Sequence, residues 1–262
     1  MMVEDKDYQT HPVFSELEHY GSFYESLAHS VFGFVSVGTR ALCNIDTYLF
    51  SSVQGTLASI RMVLLDGRIN DAYTLLRKYH DSAVINIYTH LYLDANASIQ
   101  NFIVQQIDDW MQGKASLPEY RVMSQHIRNV EKVKPITEIL HSEDRYKDLR
   151  ARCNDNAHYN FYHNVLLNDN QIALPGRRKA LDQFAKDARD LFILHLSYMF
   201  YVNSHYMAGS DFVDCLECGT TPEPDSQYWV APFVQEVFDN VLNKFRPDLV
   251  TEIKLHSSMQ LL

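Results

Sequence analysis

The stretch "LFSSVQGTLASIRMVLLDGRINDAYTLLRKYHDSAVINIYTHL", residues 49–91, carries the pattern that decides the fold. Leu49, Val53, Leu57, Ile60 and Leu64 recur at spacings of three and four, which gathers them on one face of a helix. The run stops at Asp66-Gly67, where glycine can adopt the left-handed conformation that ends a helix. Asn70 or Asp71 then offers a cap for a second helix, whose stripe is Leu76, Tyr79, Ala83, Ile87 and Leu91. So short a connection makes the pair an antiparallel helical hairpin.

The same period recurs outward from the hairpin. Ile99, Phe102, Ile103, Ile107 and Trp110 predict a third helix ending near Gly113. A fourth is expected to start near Pro118 and to stop before Pro135. A long helix follows "LPGRR", with Leu181, Phe184, Ala188, Leu191 and Tyr198 on its buried side, and the last strong one begins near Pro232 with Phe233, Val237, Val241 and Phe245. Between the last two, "GTTPEPDSQYW" reads as a rigid, exposed loop. The expected fold class is all-α: a helical bundle in a single domain over residues 1–262, with additional N- and C-terminal helices.

Composition agrees. Nine glycines and eight prolines in 262 residues are too few turn formers for an all-β chain. A net charge of -10 excludes a general cationic coat, so contact with RNA has to come from a local basic patch. The opening "MMVEDKDYQTHPVF" is acidic and polar, unlike a secretory leader. The most apolar run, "LFILHLSYMFYV", is shorter than a bilayer span and carries His195 and Ser197. The expected location is cytoplasmic, with no membrane contact. Cys43 and Cys153 stand alone, while Cys215 and Cys218 form "CLEC" before Gly219, half of a zinc knuckle. No second C-x-x-C completes it, and His205 adds one ligand at most, so the expectation is two reduced thiols and no metal.

The chemistry concentrates in "DLRARCNDNAHYNFYHNV", residues 148–165. Arg152 and His158 are six positions apart, about 120° apart around an unbroken helix. Asn154, Asp155 and Asn156 between them compete for backbone hydrogen bonds. The expectation is a helix that ends near Arg152 and restarts near Ala157, turning both side chains into one groove. A histidine that titrates near neutrality can take a proton from a 2′-hydroxyl or give one to a leaving oxygen. An arginine can hold phosphate oxygens through paired donors. Arg145, Lys147, Arg150 and Arg152 form one cationic cluster, Arg177, Arg178 and Lys179 a second, and Tyr159, Phe161 and Tyr162 could stack bases. The same residues also read as a polar turn beside core aromatics. His163 is read as structural or groove-lining, because five positions from His158 is a poor spacing for helical metal ligands. His80 is read as part of a solvated helix turn, and His195 and His205 as core or interface residues of an apolar helix.

An all-helical chain with "RCNDNAH" in its second half resembles the HEPN superfamily of helical toxins, antiviral ribonucleases and abortive-infection proteins. The signature is an Arg followed, after four to six intervening positions, by a His; Arg152 and His158 have five between them. "DAYTLLRKYHDSAVINIY" is similar to the family's earlier helices, and the resemblance covers roughly residues 40–205, leaving a C-terminal extension over roughly 206–262. It implies a homodimer in which two motifs form one metal-independent, cofactor-free endoribonuclease site, acting as a toxin or antiphage effector on RNA. It implies catalytic roles for Arg152, His158, Asn154 and Asp155, and substrate-binding roles for Arg150, Tyr159, Tyr162 and His163. An antitoxin or other regulatory partner protein would restrain such an activity. Cys153 departs from the polar residue that usually follows the Arg, which passes that role to Asn154 or leaves it unfilled. Asn160 stands where some members carry a Tyr that a partner nucleotidyltransferase modifies. The competing expectation is a non-catalytic HEPN-like module that binds a nucleotide or a protein partner.

Overall fold

The computed structural model of the chain describes residues 1–33, 38–39, 44–221, 223, 226, 229–257 and 259–261. Cys43, Arg40 at the start of the expected core, and Pro222, Pro224, Asp225, Gln227 and Tyr228 of the loop lie outside these residues. Among the described residues the protein is all-α, with no strand and one isolated bridge between Ala208 and Val230.

The helices in chain order are α1 (Lys6–Gln9), α2 (Val13–Phe32), α3 (Ile45–Leu65), α4 (Ile69–Asn96) and α5 (Gln105–Met111). Then come α6 (Tyr120–Asn129), α7 (Lys134–Leu140), α8 (Arg145–Ala157), α9 (Tyr162–Leu166) and α10 (Arg177–Val202). The chain closes with α11 (Ser210–Glu217), α12 (Pro232–Val237), a last single turn after it (Asn243–Phe245), and α13 (Pro247–His256). They make two units. One comprises Met1–Ala28, Ile45–Asn86 and Glu143–Phe192; the other comprises His29–Asn44, Ile87–Ser142 and Ile193–Leu262.

In the first unit, Val53, Leu57, Ile60 and Leu64 of α3 are buried, as their period requires, and Phe50 takes the place at the head of the stripe that was expected of Leu49, which is only half-buried. They meet an aromatic core in which Tyr20 stacks on Phe192 at 4.1 Å and the Tyr24 and Tyr79 hydroxyls bond at 2.7 Å. Pairing these hydroxyls is what lets two tyrosines be fully buried. By length and composition α3 is also long and apolar enough to cross a bilayer, contrary to the reading that no run is. Arg177 is fully buried and donates to the carbonyls of Gly67, Asp169 and Ile172, at 3.3, 2.6 and 3.1 Å. It fastens the α3–α4 turn, so it does not belong to a second cationic surface patch.

In the second unit, Ile127, Ile136, Leu140, Phe200, Phe238 and Ile253 are buried, and the Tyr198 hydroxyl bonds Thr137 Oγ1 at 3.0 Å. Three expectations change here. The third helix is only α5, and Ile99 is exposed, because Ser98 and Asn101 bond each other's backbones in a turn that replaces the first helical turns. The fourth helix, α6, starts near Pro118 and stops before Pro135 as expected, but it already ends at Asn129, and Pro135 opens α7, since a first-turn residue needs no N–H. After α12, a π-helical turn (Phe238–Leu242) shifts the helical register, which leaves Phe245 exposed at the end of its predicted stripe. His205 lies beyond α10, exposed in a short 3-10 turn (Ser204–Met207), whereas His195 is fully buried.

Candidate active site

The site residues all belong to the first unit and are carried by α8 and the segment that follows it. α8 runs unbroken from Arg145 to Ala157, so the expected break after Arg152 does not occur. The three polar residues that argued for it are each occupied. Asn156 is buried and donates to the Arg152 carbonyl one turn back at 2.9 Å. It also receives Asn70 Nδ2, at 2.8 Å on its carbonyl and 3.1 Å on its side chain, so Asn70 serves as a tie between helices and not as a cap. Asn154 Oδ1 accepts from Arg77 Nη1. Asp155 accepts from Asn160 Nδ2 on its side chain at 2.8 Å and from Asn164 Nδ2 on its carbonyl at 2.9 Å.

The helix ends one turn later than expected, with His158 as its C-cap. Asn160 N–H reaches back to the Asp155 carbonyl at 3.0 Å and Tyr159 N–H to the Asn156 carbonyl at 3.3 Å, the paired bonds of a Schellman motif. The residue this motif holds in the left-handed region is Tyr159, at φ 49°. α11 ends in the same way, Thr220 N–H bonding the Cys215 carbonyl at 2.8 Å, but with Gly219 at φ 69° in the left-handed position. A tyrosine is strained where a glycine is not. His158 before it and Phe161, Tyr162 and His163 beyond it are exposed, with Phe161 stacked on His163 at 5.8 Å.

Arg152 is gripped from below. Its Nε and Nη2 donate to the two oxygens of Asp187 at 2.8 and 2.5 Å; Asp187 is fully buried and Arg152 is one-third exposed. Tyr73 and Gln183 complete the carboxylate, donating at 2.9 and 3.0 Å. Nη1 carries none of these bonds. No hydrogen bond joins Arg152 to His158; one helical turn and a half lies between them.

The other cations face carboxylates. Arg150 Nη1 bonds Asp81 at 2.8 Å and His80 Nδ1 at 2.9 Å. His80 is buried, which corrects its reading as a solvated turn residue. Arg77 pairs with Asp81, Arg145 with Asp190 and Glu143, and Lys147 with Asp144. Cys153 is buried beneath this row, and burial pushes its thiol up to about 12, which makes it inert packing. No group of three or more His, Cys, Asp or Glu side chains could hold a metal among the described residues.

Asp187, Tyr73, Arg77 and Asp81 were not singled out in the sequence, and Asn70 was read only as a helix cap. Asp187 sits on the Phe184–Ala188 stripe of an apolar helix, and a charge at such a position was the available signal. No protein-family model, no curated protein and no solved structure matches the chain.

Proposed function

We propose that this protein is a metal-independent endoribonuclease of the HEPN type, working as a homodimer. The observation that carries the reading is a single helix bearing both parts: Arg152, clamped by a buried carboxylate, and an exposed His158 at its end, beside a strained Tyr159. The bidentate grip fixes the guanidinium plane, and Nη1 remains to meet a phosphate oxygen. In the proposed reaction the ribose 2′-oxygen attacks the adjacent phosphorus and the bond to the 5′-oxygen breaks. One His158 takes the hydroxyl proton and the partner's His158 protonates the leaving oxygen, which is why two copies are needed. Tyr159, Phe161 and Tyr162 offer exposed faces for unstacked bases.

The test is end-group analysis of RNA incubated with the protein in EDTA. The reading predicts 2′,3′-cyclic phosphate and 5′-hydroxyl ends; cleavage that needs a divalent ion contradicts it.

One observation favours a second reading, a non-catalytic module of the same fold. Arg77, Arg145, Arg150 and Arg152 each face a carboxylate, so the cluster offers little net positive charge to a phosphate backbone. A folded protein that binds a nucleotide or protein partner at this face, and cuts no RNA, would fit it.

A further inference from the structure

α3 turns outward a face that its own unit leaves uncovered. Tyr48 and Met62 are 66% and 70% exposed, and Ser51, Gly55 and Ser59 between them are exposed too. Their spacing places all five in one sector of the helix. From Thr47 to Ile60 the sequence has no charged side chain, in a chain of net charge -10. Beside this face α2 and α3 border an open groove of about 370 Å³, lined by Leu17, Gly21, Ala58, Met62 and Leu65, with Glu18, Glu25 and Arg61 at its sides; Arg61 pairs with Glu18 at 3.3 Å.

Two glycines sharpen the observation. Gly21 and Gly55 lie inside helices, and a Cβ added to either meets nothing within 4 Å. Glycine weakens a helix relative to alanine, and no neighbour in this chain requires the missing Cβ. A body that approaches closely from outside does require it.

We infer that this face docks a second copy of the chain, α3 against the partner's α3, with Gly55 against the partner's Gly55. Two chains of like net charge repel over most of their surfaces, so the uncharged strip of α3, beside which Glu18 is neutralised by Arg61, is where they meet at least cost. The face also matches itself: small residues at the centre let the helices approach, and Tyr48 and Met62 flank them. The groove beside Met62 gives an incoming side chain a place to enter. A two-fold axis along the helix pair keeps both α3–α4 turns at one end. Asn70, just past that turn, bonds Asn156, so this end of the dimer also holds both copies of the α8 terminus. Preferring this parallel pair to an antiparallel one rests on the ribonuclease reading; the surface itself does not.

The test is sedimentation velocity on the full chain at micromolar concentration, with circular dichroism alongside. The parent is expected to be a dimer; Gly55→Arg and Met62→Glu are expected to be monomers with unchanged helix content, since both positions face open space. A monomeric parent overturns the inference, as does a Gly55→Arg dimer as tight as the parent's. Ser59→Cys should cross-link to itself in the parallel pair. Cross-linking only between Tyr48→Cys and Met62→Cys chains overturns that arrangement. A monomer that instead floats with phosphatidylcholine vesicles assigns the face to lipid and overturns the proposal. A dimer that depends on Gly55 but never cuts RNA removes the ribonuclease reading and leaves this surface standing. A monomer that cuts RNA overturns this surface and the two-copy mechanism together, and leaves only the cleavage itself.

Discussion

Arg152 and Asp187 are joined by two hydrogen bonds, Nε to Oδ2 at 2.8 Å and Nη2 to Oδ1 at 2.5 Å, with the carboxylate fully buried and the guanidinium one-third exposed. The arginine read as catalytic is therefore also the counter-ion of a buried charge. Removing it exposes Asp187 to the full cost of an unpaired buried carboxylate, relieved only by Tyr73 and Gln183. Arg152→Ala is expected to lose about 3–5 kcal/mol of stability, readable as a lower midpoint in urea. An Arg152→Ala protein as stable as the parent would show that the pair is not formed in solution. Lost activity in this variant alone is no evidence of catalysis.

Tyr159 allows a test with opposite signs. Tyr159→Gly removes a side chain from a left-handed position, at φ 49°, and should raise stability by about 1 kcal/mol. If the ring stacks a base, the same variant should weaken RNA binding. Gly219→Ala, at the matching position of α11, should lower stability by a similar amount. A Tyr159→Gly protein less stable than the parent would mean that the ring packs against the fold.

Arg177 is fully buried with carbonyl partners only, which ties its effect to geometry as much as to charge. Arg177→Met leaves three carbonyls without their donor. Only the Gly67 carbonyl is left buried, at about 1–3 kcal/mol, while those of Asp169 and Ile172 can turn to water, so a loss of about 1–3 kcal/mol is expected in thermal melts. Arg177→Lys should recover little, because an ammonium cannot reproduce the planar fork.

His141 sets an acid limb. Burial, with Arg128 nearby, lowers its pKa to about 4 from the usual 6.5. The unfolded chain therefore binds a proton between pH 6.5 and about 4 that the folded chain does not. Stability from this group is complete above 6.5 and declines as pH falls toward about 4, then stops changing. Urea titrations across that range should show the decline in the parent and a shallower one in His141→Gln. Equal slopes in the two proteins would remove the assignment.

The fold was legible where a stripe met no competitor. Leu76, Tyr79, Leu181 and Phe184 sit inside as their period demands. The same rule applied to Val13, Leu17, Tyr20, Tyr24 and Leu27 finds α2, which was expected only as an unspecified N-terminal addition. It failed where a local turn competed, as at Ser98 and Asn101, whose backbones bond each other and whose Ser98 Oγ accepts from Asn101 N–H, and where a π-turn moved Phe245 off its face. The helix break was misplaced because Asn154 and Asn156 are satisfied from outside α8, by Arg77 and Asn70, partners 77 and 86 positions away. Tyr73, 114 positions from Asp187, was equally out of reach of any local pattern. The positions of Arg152 and His158 could be read from the sequence; the buried carboxylate behind one and the strained tyrosine beside the other could not.

His158 is the cleanest residue on which to test the central claim, because it is exposed at a helix end and no hydrogen bond of its ring holds the fold. The measurement is the initial rate of RNA cleavage in EDTA by parent and His158→Ala proteins, matched for helix content and melting temperature. A loss of about 10²- to 10⁴-fold is expected, the usual contribution of a general acid or base, with a smaller loss in His163→Ala. A folded His158→Ala protein that cleaves RNA at the parent's rate would contradict it.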